Sequence, residues 1–119
     1  MVSGELRRVM VAAAGSGSLA GEDVRTGTAE HPVCGDVVAV DVRLDVSSIT
    51  DLAWRARGCP ATLAVAAVAH RALVGSDLAR AGETLRSELQ QLGGLGAHER
   101  HAERLFLTAL TAACGDSVP

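Results

Sequence analysis

The stretch VVAVDVRLDVSSITDLAWRAR, residues 37–57, decides the fold because apolar and polar side chains alternate along it. In Val37–Asp45 every even-numbered residue is apolar, which is the period of two expected of a strand with one buried face. The opposite face carries Asp41 and is expected to be increasingly exposed to water. The alternation resumes in Ile49–Arg57, and the linker Val46-Ser47-Ser48 is short enough for an antiparallel hairpin.

Helical patterns flank this hairpin. Pro60 suits the first position of a helix, so the Ala- and Leu-rich residues 60–74 are predicted to be helical up to Gly75. Further helices are predicted over 4–14, 83–92 and 97–113, with a turn or short helix at Ser76–Arg80 and an edge strand near Val24–Ala29. This order indicates an α+β fold, a small antiparallel sheet of about three strands packed against C-terminal helices, in one domain over residues 1–119.

Composition excludes several classes of protein. Eleven basic against fourteen acidic residues give a net charge of −3 with almost no aromatic side chains, which argues against nucleic-acid binding. The most apolar stretch, Ala61–Ala69, is too short to span a membrane, and Met1–Arg8 lacks the pattern of a secretory leader. Three cysteines, an odd number, do not form a secreted disulfide framework, so we expect a cytoplasmic protein whose cysteines are metal ligands or reactive thiols.

Two cysteine-containing segments lie where the predicted hairpin brings them together. Cys34-Gly35-Asp36 precedes the first strand and Cys59 follows the second, so both are expected at the same end of the sheet. Thiolates suit zinc or iron, a carboxylate oxygen is a harder and more exchangeable ligand, and Gly35 lets the backbone bring its two neighbours to one ion. Cys59 also begins a helix, whose dipole favours the thiolate. These residues predict a metal site, for zinc or iron, at this end of the sheet.

Each of these residues also has a simpler interpretation. A lone cysteine is more often a small buried apolar residue than a ligand. His31 is either a spare ligand or, on the simpler view, an exposed loop histidine, and His70 is expected on the surface or satisfied in the core. His98 and His101 lie three residues apart on one helix face, which suits joint metal binding, although the spacing around Glu99 is not that of the zinc-protease helix motif.

The segment His31-Pro32-Val33-Cys34-Gly35-Asp36-Val37, the hairpin and then Arg57-Gly58-Cys59 together resemble the iron–sulfur cluster assembly scaffold family, the IscU, SufU and NifU N-terminal group. The resemblance implies a scaffold and not an enzyme. Such a scaffold takes iron, and sulfur from a cysteine desulfurase, to build an iron–sulfur cluster and pass it to acceptor proteins. The resemblance also implies a ligand set of three cysteines, the motif aspartate and often a histidine just before the third cysteine. Cys34, Asp36 and Cys59 match that set directly.

The third cysteine has two candidate positions. In the family the His-Cys pair lies near the start of the long C-terminal helix. When the last helix of this chain is aligned with that helix, His101-Ala102 falls on the pair, with alanine in place of the cysteine. Cys114 lies about 18 Å further along such a helix, too far to share one ion with that end. The resemblance therefore implies a reduced ligand set for iron, a labile 2Fe–2S cluster or zinc. Its members are Cys34, Asp36, Cys59 and His101.

Two alternatives remain open. One is a zinc-bound sulfur acceptor that stimulates a desulfurase, with Cys34 or Cys59 as the attacking thiolate. The other is a divergent paralogue that keeps the fold and acts as a structural or regulatory partner.

The sequence departs from the family at one further place. In the IscU branch a Pro-Pro-Val-Lys type loop recruits a dedicated chaperone, whereas the corresponding stretch here reads Gly96-Ala97-His98-Glu99-Arg100.

Overall fold

The structure, a computed structural model, describes residues 3–115 with the exception of the His98 side chain. Its elements in chain order are α1 (Gly4–Ala12), β1 (Arg25–Glu30), β2 (Val37–Asp45), β3 (Ser48–Arg57), α2 (Pro60–Leu73), α3 (Ala81–Gln91) and α4 (Arg100–Cys114). Short 3₁₀ turns at Leu78–Arg80 and Ala97–Glu99 precede α3 and α4. The predicted α+β class is confirmed. Within this part of the chain, no helix has the length and apolar composition that crossing a membrane requires.

The three strands form an antiparallel sheet in the order β1-β2-β3. Val37 pairs with Arg57 and Asp45 with Ser48, so the predicted hairpin is confirmed. Val46 lies in its turn in the left-handed region, with φ of 57°, and its side chain is exposed. The edge strand expected before the hairpin is β1, displaced by one residue from the predicted range.

The core lies between the sheet and the helices. The core-facing side chains of the hairpin are almost fully buried, as the alternation predicts, at Val38, Val40, Val42, Leu52 and Trp54. The last helix, α4, crosses β1 so closely at Gly27 that a Cβ atom there would overlap the helix backbone at Ala109 and Ala113. The absence of a side chain at Gly27 therefore lets α4 pack directly on the sheet.

The outer edge of β3 is covered by other parts of the chain. Backbone groups of residues 15–17 bond with Trp54 and those of residues 75–76 with Ile49, at 2.7–3.0 Å. Between these points His70 donates from Nδ1 to a β3 carbonyl at 2.9 Å. His70 is thus hydrogen-bonded against the core, which was one of its two expected placements.

The last helix begins at Arg100, three residues later than predicted. The Glu99 side chain accepts a hydrogen bond from the Gly96 N–H at 3.0 Å, which closes residues 97–99 into a 3₁₀ turn ahead of the helix. His98 lies in this turn, and its predicted pairing with His101 concerns a side chain outside the described part of the structure.

Asp41 is buried, with 4% of its surface exposed, so the prediction that its face of β2 is open to water is wrong at this position. The chain crosses that face on its way from the edge of β3 to β1, and the N–H of Leu19 donates to Asp41 at 3.1 Å. Arg55 donates to both carboxylate oxygens, at 3.0 and 3.1 Å, and Thr26 to one of them at 2.8 Å. The buried carboxylate therefore ties the crossing segment to the sheet.

Asp41→Asn is expected to lower the free energy of unfolding by about 2 kcal/mol at neutral pH, because the amide has no charge to offer Arg55. Arg55 lowers the pKa of Asp41 by more than burial raises it, and the bonds from Thr26 and Leu19 add to the lowering. A lowered folded-state pKa means that this stabilisation is complete above about pH 4 and is lost as the pH falls through that pKa. Urea unfolding at neutral pH and at about pH 3 should show a smaller deficit for the variant in acid. An equal deficit at both pH values would contradict this account.

Candidate metal centre

Three elements begin at one corner of the sheet and bring three side chains together. Asp36 directly precedes β2, Cys59 caps the N-terminus of α2, and His101 lies in the first turn of α4. One ligand atom of each residue lies within 4.8 Å of the other two. The hairpin explains why the first two meet, because Val37 pairs with Arg57.

Asp36 is the buried member of this group, with 4% of its surface exposed. Its Oδ2 accepts from Oγ1 of Thr62 at 2.7 Å and lies 3.5 Å from Nε2 of His101. Its Oδ1 accepts from the N–H of Cys59 at 3.4 Å. Burial would raise the pKa of Asp36, but the hydrogen bonds from Thr62, Cys59 and His101 together hold it below its ordinary value. At neutral pH the carboxylate is therefore ionised and faces the other two side chains.

Gly58 leaves room for that carboxylate. Its φ is 146°, a region that favours glycine, and a Cβ atom there would overlap the side chain of Asp36. The glycine that precedes Cys59 in the motif therefore has a steric explanation, since any side chain at this position would displace the aspartate.

Cys59 completes the group with a sulfur atom. Its Sγ lies 3.8 Å from Nε2 of His101 and 3.4 Å from Oγ1 of Thr62. The Thr62 hydroxyl proton is donated to Asp36, so its oxygen accepts from the Cys59 thiol. Tetrahedral zinc with ligand bonds of ~2.0–2.3 Å keeps its ligand atoms ~3.3–3.8 Å apart. The S···N separation of 3.8 Å and the N···O separation of 3.5 Å fall in this range, and all three ligand atoms lie within 4.8 Å of one another, so the three side chains are close to the spacing that one ion requires.

Cys34 is not brought into this group. It is exposed in the loop between β1 and β2, and no metal-binding cluster found among residues 3–115 includes it. Its backbone N–H donates to Nδ1 of His31 at 3.1 Å. Of the predicted ligands, Asp36, Cys59 and His101 therefore meet, while Cys34 has to move to join them.

Two neighbours of the group were not predicted in this role. Thr62 supports both Asp36 and Cys59, and the available signal was its position three residues after Cys59, on the same face of α2. His31 is half-buried and not the exposed loop residue of the simpler interpretation. Its ring centroid lies 4.9 Å from that of His101, in an edge-to-face arrangement.

Two further residues of α4 bear on the missing cysteine. Cys114 is buried at the opposite end of the helix from His101, and burial raises the pKa of its thiol. Ala102, which stands where the resemblance places the third cysteine, is fully buried. Cys114 therefore lies at the far end of α4 from the candidate ligands.

A carboxylate, a thiol and an imidazole meet at one corner of a three-stranded sheet, so the structure is that of a small α+β protein with a candidate mixed-ligand metal site. Residues 8–117 match the family described as NifU-like N terminal domain, and the chain belongs to this family. The resemblance that rested on Cys34-Gly35-Asp36 and Gly58-Cys59 is thus confirmed.

Similar proteins agree with this assignment. The "Iron-sulfur cluster assembly scaffold protein IscU 1" of Archaeoglobus fulgidus is 30% identical over 91 residues, which cover 76% of this chain and 60% of that protein. The chain therefore spans less than two thirds of that relative's length. The NifU-like N-terminal structure from Brucella abortus has a TM-score of 0.62 at 20% identity, covering 91% of this chain and 76% of that one. FiSufU from Fervidobacterium islandicum AW-1 has a TM-score of 0.62 at 17% identity, covering 94% and 86%. At these identities the structures show a shared fold.

Proposed function

We propose that this chain is a scaffold or carrier for iron–sulfur cluster assembly that binds iron, a labile 2Fe–2S cluster or zinc through Asp36, Cys59 and His101, with Cys34 as a fourth ligand. The observation that carries the proposal is the approach of a carboxylate oxygen, a sulfur and an imidazole nitrogen to within 4.8 Å of one another at the motif residues. The name of the Archaeoglobus relative, an iron–sulfur cluster assembly scaffold protein, supports the same function.

Each ligand has a definable part in holding and releasing the metal. Cys59 gives up its thiol proton to solvent on binding and forms the soft bond. His101 binds through Nε2, the nitrogen that faces the other two side chains. Asp36 is already ionised and offers a hard oxygen, which exchanges more readily than a thiolate and suits a cargo that has to leave.

A second candidate function, favoured by the exposure of Cys34, is a zinc-bound sulfur acceptor that stimulates a cysteine desulfurase. In this reaction the Cys34 thiolate attacks the outer sulfur of the persulfide on the desulfurase cysteine. A bond forms between Cys34 and that sulfur, the persulfide S–S bond breaks, and the desulfurase cysteine leaves as a thiolate. The exchange needs no external oxidant or reductant.

Anaerobic reconstitution with ferric iron and sulfide separates the two functions. A scaffold is expected to gain visible sulfur-to-iron charge-transfer absorbance, to lose it in Cys34→Ala, and to pass its cluster to an apo-ferredoxin. Cys114→Ala is the matched control, because it removes one thiol from a buried position, and it should behave as the wild type. If the wild type takes up no iron but accelerates a desulfurase, the scaffold function is wrong and the sulfur acceptor is favoured.

A further inference from the structure

The loop that carries Cys34 is organised around His31. The His31 N–H donates to the Asp36 carbonyl at 2.8 Å, and the Gly35 N–H donates to the His31 carbonyl at 2.9 Å. The imidazole adds two bonds, because Nδ1 accepts from the N–H of Val33 at 3.3 Å and from that of Cys34 at 3.1 Å. A ring nitrogen that accepts these bonds carries no proton, which leaves Nε2 as the ring nitrogen that can carry one.

The same ring contacts the candidate metal centre. Its plane makes an angle of 62° with the ring of His101, at a centroid distance of 4.9 Å. His31 is not among the three residues whose ligand atoms meet. It therefore has the geometry of a support that joins the Cys34 loop to a ligand, and not that of a ligand.

We propose that His31 is a positioning residue whose imidazole holds the Cys34 loop beside His101, so that Cys34 reaches a bound metal by turning its side chain instead of refolding the loop. This inference rests on the function proposed above. A loop that is already fixed loses less conformational freedom when its thiol binds, so the metal is held more tightly. The metals concerned are divalent cations that accept thiolates, such as Zn²⁺, Co²⁺ and Fe²⁺.

Three substitutions separate the parts of the His31 side chain. His31→Ala removes both the acceptor and the ring, and it should weaken Co²⁺ binding about 10-fold, as loss of a support to a metal ligand does. His31→Asn keeps an oxygen that can accept from nearby backbone N–H groups, as in an Asx turn, and should restore most of the affinity. His31→Phe keeps a ring without an acceptor and should resemble His31→Ala. Restoration by phenylalanine but not by asparagine would overturn the proposal.

A double-mutant cycle with Cys34 tests whether His31 acts through the loop. Co²⁺ alone is titrated into the metal-free protein, and the thiolate-to-cobalt charge-transfer absorbance reports how many sulfurs bind. In the Cys34→Ala background, with one thiolate fewer, His31→Ala should cause no further loss because no thiol remains to be positioned. A further loss of about 10-fold in that background would show that His31 acts elsewhere and would overturn the proposal.

Amide hydrogen exchange in the metal-free protein gives a readout that does not depend on the metal. The Cys34 N–H should exchange faster in His31→Ala and regain protection in His31→Asn, with urea unfolding confirming that each variant is folded. Unchanged exchange in His31→Ala, or equal Co²⁺ affinity of that variant and the wild type, would overturn the positioning role alone. A wild type that binds no Co²⁺ would overturn the proposed function, and the positioning role with it.

Discussion

Cys59→Ala is expected to weaken zinc binding by more than about 100-fold. Cys59 supplies the only sulfur among the three side chains that meet at the site, and it lies at the N-terminus of α2. Loss of a support behind a ligand already costs ~10–100-fold in metal affinity, so loss of the ligand itself should cost more. Competition with a chromophoric chelator for Zn²⁺ at neutral pH measures the change.

Cys114→Ala is the matched control for this experiment. It removes a thiol at the other end of α4, and it should leave the zinc affinity unchanged while lowering the free energy of unfolding through a small cavity. Cys59→Ala should unfold at nearly the wild-type urea concentration, because Cys59 is only half-buried. Equal zinc affinities of the wild type and Cys59→Ala would contradict the proposed site. A loss of zinc affinity in Cys114→Ala would indicate instead that Cys114 is the third cysteine ligand.

Gly27→Ala is expected to lower the free energy of unfolding by about 3 kcal/mol. The added methyl group would overlap the α4 backbone at Ala109 and Ala113, and backbone cannot turn aside as a flexible side chain can. The helix would have to move off β1, which disturbs close packing around buried residues such as Phe106. Urea unfolding followed by circular dichroism measures the loss, and zinc affinity should fall as well because α4 carries His101.

Gly4→Ala provides the comparison for Gly27→Ala. Gly4 is the first residue of α1, and a Cβ atom there would meet nothing within 4 Å apart from its chain neighbours and the backbone of its own helix. Alanine favours the helix more than glycine does, so this variant should be as stable as the wild type or slightly more stable. If the two substitutions had the same effect on unfolding, the close approach of α4 to β1 would not be the reason for glycine at position 27.

The hairpin could be predicted because the information for it is local. The alternation over residues 37–57 requires only neighbouring side chains and a short turn at Val46. The burial of Asp41 depends instead on a segment 22 residues away, around Leu19, which crosses the outer face of the sheet. No periodic pattern in the sequence predicts such a long-range contact.

The part of the candidate site that depends only on strand pairing could be predicted from the sequence. Asp36 and Cys59 flank the hairpin, so antiparallel pairing is enough to bring them together. His101 required the family resemblance, since it lies 42 residues from Cys59 on a helix whose docking the sequence does not specify. The placement of Cys34 depends on hydrogen bonds within its loop, and the role of Thr62 depends on how α2 is rotated. Residue types alone do not determine either.

The covered edge of β3 decides how another polypeptide could extend the sheet. Backbone groups of β3 that an incoming strand would use, at Ile49, Leu52 and Trp54, are already bonded to residues 75–76, to His70 and to residues 15–17. A partner would have to displace these segments before it could add a strand on that side. Extension of the sheet along this part of β3 is therefore opposed by the chain's own segments.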